Sequence, residues 1–298
     1  MKQAPASLVA GAFSLILACT SWAARNAEEG AALAPNPFTA LPLGSVTPEG
    51  WLKDTLRRAA DGLTGNLDTI YPEVVGPANG WLGGNGDVWE RGPYWIDGLL
   101  PLAYLLDDPA LKEKVQPWIE WTLENQREDG YLGPRPGVER ARNSHTFQTG
   151  LPEDWWPRIP MLKVLQNYHS ATGDKRVLAA LDRYFRYQLK TLPSKPLGEW
   201  SHWARIRGGD NIMVVLWLYR LTGESYLLDL ARLIDSQMYQ HTDEWLKEDG
   251  PLHTTKAGDL THCVNISQAL KHPVLMYQLD RDERHLRAVD KALSDLDR

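Results

Sequence analysis

Four times along this chain an apolar helical stretch runs into a tight acidic turn and is followed at once by a second, amphipathic helix. The copies read PLAYLLDDPALKEKVQPWIEWTLENQ, MLKVLQNYHSATGDKRVLAALDRYFRYQL, IMVVLWLYRLTGESYLLDLARLIDSQM and PVLMYQLDRDERHLRAVDKALSDL. Their turns fall at Asp107–Asp108, Gly173–Asp174, Gly223–Glu224 and Asp280–Asp282. A helix pair of this kind cannot bury its apolar face alone. Each copy must therefore pack on its neighbours, and the chain is predicted to build a solenoid or a closed ring of hairpins.

The two helices of a pair carry different patterns. Ile212 to Tyr219 reads IMVVLWLY, apolar all round, so this helix needs cover on every side. Its partner places Leu227, Leu230, Ile234 and Met238 on one stripe and Asp229, Arg232 and Asp235 on the other face. Leu286, Val289, Leu293 and Leu296 repeat that one-sided stripe in the last helix. Wholly apolar helices inside and half-wet ones outside make an all-α fold, an α/α toroid.

At 298 residues the chain has ample core to bury. Its net charge of −6 and lack of any basic run argue against a nucleic-acid partner. Thirteen Trp and eleven Tyr stand against four Phe, a balance that suits sugar-stacking clefts and equally suits a large toroid core. At the N-terminus Lys2 precedes an apolar run from Leu8 to Cys19 and a small-x-small site at Ser21-Trp22-Ala23. Residues 1–23 thus read as a signal peptide, implying a periplasmic or extracellular protein, with a lipid anchor at Cys19 the weaker alternative. No stretch is long and apolar enough for a membrane span. Residues 24–42, rich in Ala and Pro, read as a linker, and 43–298 as the folded domain. Past residue 23 only Cys263 remains, so no disulfide can form within the mature chain.

The links between hairpins are long: Arg127 to Asp154, Thr191 to Gly208 and His241 to Thr261. Hairpin topology puts them on one rim, beside the N-termini of the inner helices, and long links in a compact domain tend to carry function. Four clusters fall there: GGNGDVWERGPYW (83–95), EDWWPR (153–158), WSHWARIRGGDN (200–211) and THCVN (261–265). A mouth bounded by Asp87, Trp89, Glu90, Asp154, Trp155, Trp156, Arg158, Asp210, Asn211 and His262 is the predicted pocket. Asp87, Glu90, Asp154 and Asp210 are the candidate catalytic carboxylates. Trp89, Trp155, Trp156, Arg158, Asn211 and His262 are the candidate substrate-binding groups, indoles stacking on sugar C–H faces and polar groups taking hydroxyls.

Plainer roles compete at each position. Asp154 and Asp210 sit where helix N-caps belong. His262 fits a structural histidine as well as a ligand, and His145 and His202 read as surface residues. Gly83-Gly84-Asn85-Gly86 is no phosphate loop, since no Lys-Ser/Thr follows it. The Asn265-Ile266-Ser267 sequon falls inside a predicted buried helix. Cys263 reads as a small core residue.

The stretches LPLGSVTPEGWLKD, GDVWERGPYWIDGLLPLAYLLDD, NQREDGYLGP, DWWPRIPMLKVLQNYHSATGD, RGGDNIMVVLWLYRLTGE and HCVNISQALKHPVLMY together resemble the β-L-arabinofuranosidase family, glycoside hydrolase family 127. The resemblance runs in order from about Leu41 to the end. It implies a six-hairpin ring of twelve helices, and retaining exo-enzymes that use a zinc-bound Cys as nucleophile and a Glu as acid/base. His262 corresponds to the family's mouth histidine in a His-x-Val segment, which implies a substrate-binding role. The WERGPYW and DWWPR forms are those of a divergent branch, so the sugar is left open.

The family's Glu and its Cys-rich zinc motif lie C-terminal to His-x-Val, whereas this chain stops at Arg298 inside a helical pattern. About nine helices are counted, four pairs and a leading one near Trp51 to Ala60. The expectation is an incomplete ring lacking the catalytic motif, inactive on its own and without metal of its own, though zinc would belong to a full-length family enzyme. Apolar faces at Leu52–Leu56 and Pro273–Tyr277 would need a missing C-terminal portion or a partner chain to cover them. The leading function is a secreted glycoside hydrolase acting on plant-type or related glycans. Its rivals are a non-catalytic glycan-binding or assembly module, and a carboxylate-based hydrolase resembling unsaturated glucuronyl hydrolases.

Overall fold

The computed structural model describes residues 33–139, 151–248 and 262–297, and these contain α-helices, one short 3-10 turn and no strand. The helices are α1 (Gly50–Asp61), α2 (Leu63–Ile70), α3 (Pro72–Val75), α4 (Arg91–Leu105), α5 (Pro109–Glu124), α6 (Trp155–Thr172) and α7 (Lys175–Thr191). They continue as α8 (Trp203–Arg207), α9 (Gly209–Thr222), α10 (Tyr226–Gln237), α11 (His241–Leu246), α12 (Cys263–Ala269), α13 (Lys271–Asp280) and α14 (Glu283–Leu296). The four hairpins are α4–α5, α6–α7, α9–α10 and α13–α14, and with α1 they supply every helix of ten residues or more. The links expected as plain loops carry the short helices α8, α11 and α12. The signal segment, residues 24–32, His145 and Thr261 lie outside the described residues.

Each hairpin turn is built alike. The residue that ends the first helix takes a left-handed backbone: Asp107 (φ 49°), Gly173 (φ 71°), Gly223 (φ 73°) and Arg281 (φ 64°). Glycine adopts this conformation at no steric cost, so two turns use it, while Asp107 and Arg281 accept some strain. In three turns an aspartate then caps the second helix: Asp108 accepts from the Ala110 and Leu111 amides, Asp174 from Arg176, and Asp282 from Arg284.

Packing runs α4 to α6 to α9 to α13 around an inner layer, with α5, α7, α10 and α14 each backing its own partner outside. The α9 helix buries Ile212, Val214, Val215, Leu216 and Leu218. The outer α10 buries Leu227, Leu228, Leu230, Ala231 and Ile234 and leaves Asp229 and Arg232 outside. This is an all-α, α/α-toroid-type fold. Each inner helix also keeps one incompletely buried stripe at helical spacing: Tyr94, Asp97, Gly98 and Pro101; Lys163, Asn167 and Ser170; Met213, Trp217 and Arg220; Lys271, Val274 and Gln278. Polar bonds tie these stripes to one another, which places them on the side facing the ring axis.

Residues 33–42 fall in the stretch expected to be a linker; Leu33 and Ala34 at its start and Leu43 just past its end lie against the base of the ring, with 35–42 exposed between them. Leu33 and Ala34 are buried. The Ala34 amide donates to the Gln278 carbonyl at 2.8 Å, and the Leu43 amide donates to Ser170 Oγ at 3.0 Å. Farther on, Trp51, Leu52, Leu63 and Ile70 on the leading helices are exposed, as are Leu293 and Leu296 on α14. At the other expected open face Val274 is exposed, whereas Pro273 and Met276 are buried.

Candidate functional site at the mouth of the ring

Seven of the thirteen tryptophans are buried, among them Trp81, Trp95 and Trp118, so core packing explains most of that enrichment. The glycine run ahead of α4 is likewise a packing device. Gly83 has φ 85°, and a Cβ there would sit 2.6 Å from the Trp121 indole nitrogen.

Several predicted site residues are walls, not contacts. Asp87 is buried, accepts from the Trp89 amide at 2.9 Å and pairs with Arg91, which organises the turn into α4. Trp89, 8% exposed, packs into the core behind that turn. Trp155 is sealed and donates from its indole to the Lys195 carbonyl at 2.9 Å. Arg158 is buried under the ring of Tyr131, and its guanidinium donates to the carbonyls of Leu132, Pro152 and Glu153. Its role is to hold the link ahead of α6 closed. Trp156 is fully buried as well, so Asp87, Trp89, Trp155, Trp156 and Arg158 all lie behind the surface in this structure and serve packing and hydrogen bonding there.

Asp154 does what its position suits chemically. Its carboxylate accepts from the Trp156 amide at 2.9 Å and caps α6, and burial pushes its pKa above the usual carboxylate value. Asp210 is not a cap: the N-cap of α9 is Gly208, and Asp210 sits inside the first turn. Asn211 is fully buried, and its amide atoms have no hydrogen-bond partner among the described residues. His262 stands exposed on the rim, its Nδ1 accepting from the Val264 amide at 3.2 Å to cap α12. Cys263, expected in the core, is exposed, because Asn265 and Ala269 carry the buried face of α12. Asn265 is buried and accepts from Arg207 Nε at 2.7 Å, so its sequon cannot take a glycan in this fold.

The groups that do converge form two linked sets. At the rim, Glu90 accepts from the Trp156 indole N–H and from Arg207 Nη1, the latter at 3.4 Å. Arg207 also donates to Tyr94 Oη at 3.4 Å, and Gln268 donates to the same oxygen at 3.0 Å. Burial raises the Tyr94 pKa, while the Gln268 bond and the Arg207 charge act against it. Deeper in, Asp210 pairs with Lys271 and lies 3.9 Å from Lys163, which itself bonds Asp97 at 2.9 Å. Burial pulls the Lys163 pKa down, but Asp210 and Asp97 outweigh it and leave it raised. One charge from each inner helix, alternating in sign, therefore runs Asp97–Lys163–Asp210–Lys271 around the axis. Arg207, Tyr94, Gln268 and both lysines were absent from the predicted pocket. Single cations within helical patterns carry no local signal, and their partners lie far away in sequence.

Chemically the mouth offers a carboxylate, a phenol, an amide and an indole-walled guanidinium. Among the described residues no three His, Cys, Asp or Glu side chains come together as a metal site. A ring of helix hairpins with polar groups at the inner-helix N-termini makes this an α/α-toroid-type domain. The chain belongs to the β-L-arabinofuranosidase family: residues 55–296 match the GH127 catalytic domain. No curated protein and no solved structure matches it. No helix of the described residues is long and apolar enough to cross a membrane.

Proposed function

We propose that the chain is a secreted glycoside hydrolase of the β-L-arabinofuranosidase type whose mouth takes a terminal, uncharged furanose of a plant-type or related glycan. The observation that carries this reading is charge balance. Around the mouth Glu90 faces Arg207, and Asp97 and Asp210 face Lys163 and Lys271. A uronate would bring a carboxylate with no unmatched cation among the described mouth residues to receive it, which is costly in a partly buried site. Sugar hydroxyls need only donors and acceptors, and Glu90, Tyr94 and Gln268 supply them. Family membership supports the glycosidase class, and the Lys2–Ala23 segment supports export.

A non-catalytic glycan-binding module is the second reading. Asp87 and Asp210 are engaged by cations, and Asp154 is sealed as a cap, so Glu90 alone among the four carboxylates has an oxygen to offer. Two-carboxylate hydrolysis needs a facing pair. The same observation weakens the glucuronyl-hydrolase-like alternative. Incubation with p-nitrophenyl β-L-arabinofuranoside and with a p-nitrophenyl uronide decides among the three. Nitrophenol from the furanoside alone would establish the hydrolase reading for this chain by itself. Affinity for methyl β-L-arabinofuranoside without release favours the binding module, and activity on the uronide alone overturns the neutral-sugar reading.

A further inference from the structure

We propose that Arg207 is a positioning residue that fixes the Glu90 carboxylate at the mouth and does so without touching the sugar itself. The inference rests on the sugar-binding reading above only for what Glu90 is positioned to do. Arg207 comes from α8, Glu90 from the residue just before α4, and Asn265 and Gln268 from α12. The guanidinium thus joins the entry to the first hairpin to the link that enters the last one.

Its surroundings hold it in place. The guanidinium carbon lies 4.7 Å from the Trp156 ring centroid and 4.6 Å from that of Trp203. Nε is taken by Asn265 at 2.7 Å, and only 6% of the side chain is exposed. Nη1 donates to Glu90 and to Tyr94, each at 3.4 Å. Arginine suits this role because its planar fork can stack and donate at once, whereas a lysine ammonium cannot.

Glu90 shows the complementary asymmetry. Both of its protein donors, the Trp156 indole and Arg207, bond Oε2, and Oε1 has no donor among the described residues. The side chain stays 20% exposed and makes no helix-capping bond, although it occupies the N-cap position of α4. Arg–carboxylate pairs frequently use both oxygens in a bidentate fork. Here one oxygen is anchored and the other carries no protein donor, the arrangement of a carboxylate that accepts a hydrogen bond from a ligand hydroxyl.

The test uses the full chain as wild type, E90Q, R207Q, R207K and the E90Q/R207Q double variant. The Trp156 indole N–H resonance, assigned with W156F, reports on the Glu90 bond without a ligand, and because Arg207 also stacks on that ring, the double variant, not the R207Q shift alone, reads the anchor. Titration with methyl β-L-arabinofuranoside reads affinity. The expected result is that the indole resonance moves in the same direction in E90Q and R207Q and no further in the double variant. Affinity should fall roughly tenfold or more in R207Q, as for loss of a charge-assisted bond, and the double variant should be no weaker than E90Q. Should R207Q fail to fold, R207K carries the same test, since it keeps the charge without the planar stack. An unmoved indole resonance, or affinity losses that add in the double variant, would overturn the positioning role. A wild type that ignores the sugar while the E90Q and R207Q indole shifts fail to add in the double variant sinks the sugar reading and leaves the positioning role standing.

Discussion

Arg220, in the last turn of the inner helix α9, donates to the backbone carbonyl of Ala34 at 2.7 Å, and the same nitrogen donates to Gln278 Oε1 at 2.8 Å. One guanidinium thus joins the segment at 33–44 to the C-terminal ends of two neighbouring inner helices. With the Leu43–Ser170 bond, the segment straps the base of the ring beneath α13, α9 and α6. Arg220→Ala should cost about 2 kcal/mol, because it leaves part-buried acceptors unpaired. The effect should be local, with α13 amides exchanging faster while α4 and α5 are unchanged. Urea melts with hydrogen exchange check this, and wild-type exchange in α13 would mean that the strap contributes nothing.

Asp210 separates a structural charge from a catalytic one. It is 2% exposed between Lys271 and Lys163, whose side chains are 33% and 24% exposed. Removing one member of a buried pair costs roughly 3–5 kcal/mol, but the partial exposure of both lysines argues for about 2 kcal/mol in Asp210→Asn. Pairing it with Lys271→Met should recover part of that loss, because one unpaired charge is removed with it. A variant that melts like the wild type but loses turnover would instead make Asp210 a catalytic group.

The hairpins were legible because two independent signals coincide in each copy. In α9 and α10 a wholly apolar run meets a one-sided stripe, with Gly223 marking the left-handed turn between them. The location of the mouth was legible too, since Glu90, Asp154 and Asp210 all fall where long links enter inner helices. Which side chains face the mouth was not. At Asp154 the same residue type serves a cap or an acid, and only the Trp156 amide at 2.9 Å distinguishes the two. Arg207 and Lys271 find their partners across the ring, 117 and 61 residues away, a pairing that no local pattern encodes. The strap was missed because Ala- and Pro-rich composition reads as linker, while what buries Leu33 and Ala34 is a backbone bond to Gln278 at the far end of the chain.

The capping role of Asp154 predicts a specific ordering of variants. Asn is about as good an N-cap as Asp, whereas Ala supplies no acceptor. Asp154→Ala should therefore lose about 1 kcal/mol and Asp154→Asn close to none, with sugar affinity unchanged in both. Thermal melts and a titration with methyl β-L-arabinofuranoside check the two halves. Loss of turnover in a stable Asp154→Asn would restore the carboxylate to the chemistry.

His241 gives the fold a pH dependence whose sign can be worked out. It is 3% exposed, its Nε2 lies 2.9 Å from the Ile206 carbonyl, and its ring centroid is 5.6 Å from that of His272. Burial, with the neighbouring His272 adding to it, pulls its pKa down to about 4. An unfolded histidine titrates near ~6.5, so between those two values the unfolded chain binds the proton that the folded chain refuses. Stability from this group is therefore whole above pH ~6.5 and is lost progressively as pH falls toward 4, by up to about 3 kcal/mol. Asp154, raised by burial, acts in the opposite sense just above its ordinary value, so the His241 contribution is read as a difference between proteins. His241→Gln, whose amide can still donate to Ile206, should be less stable near neutrality but flatter between pH 4 and 6.5. Parallel pH-dependent slopes for wild type and variant in urea melts would show that the titration lies elsewhere.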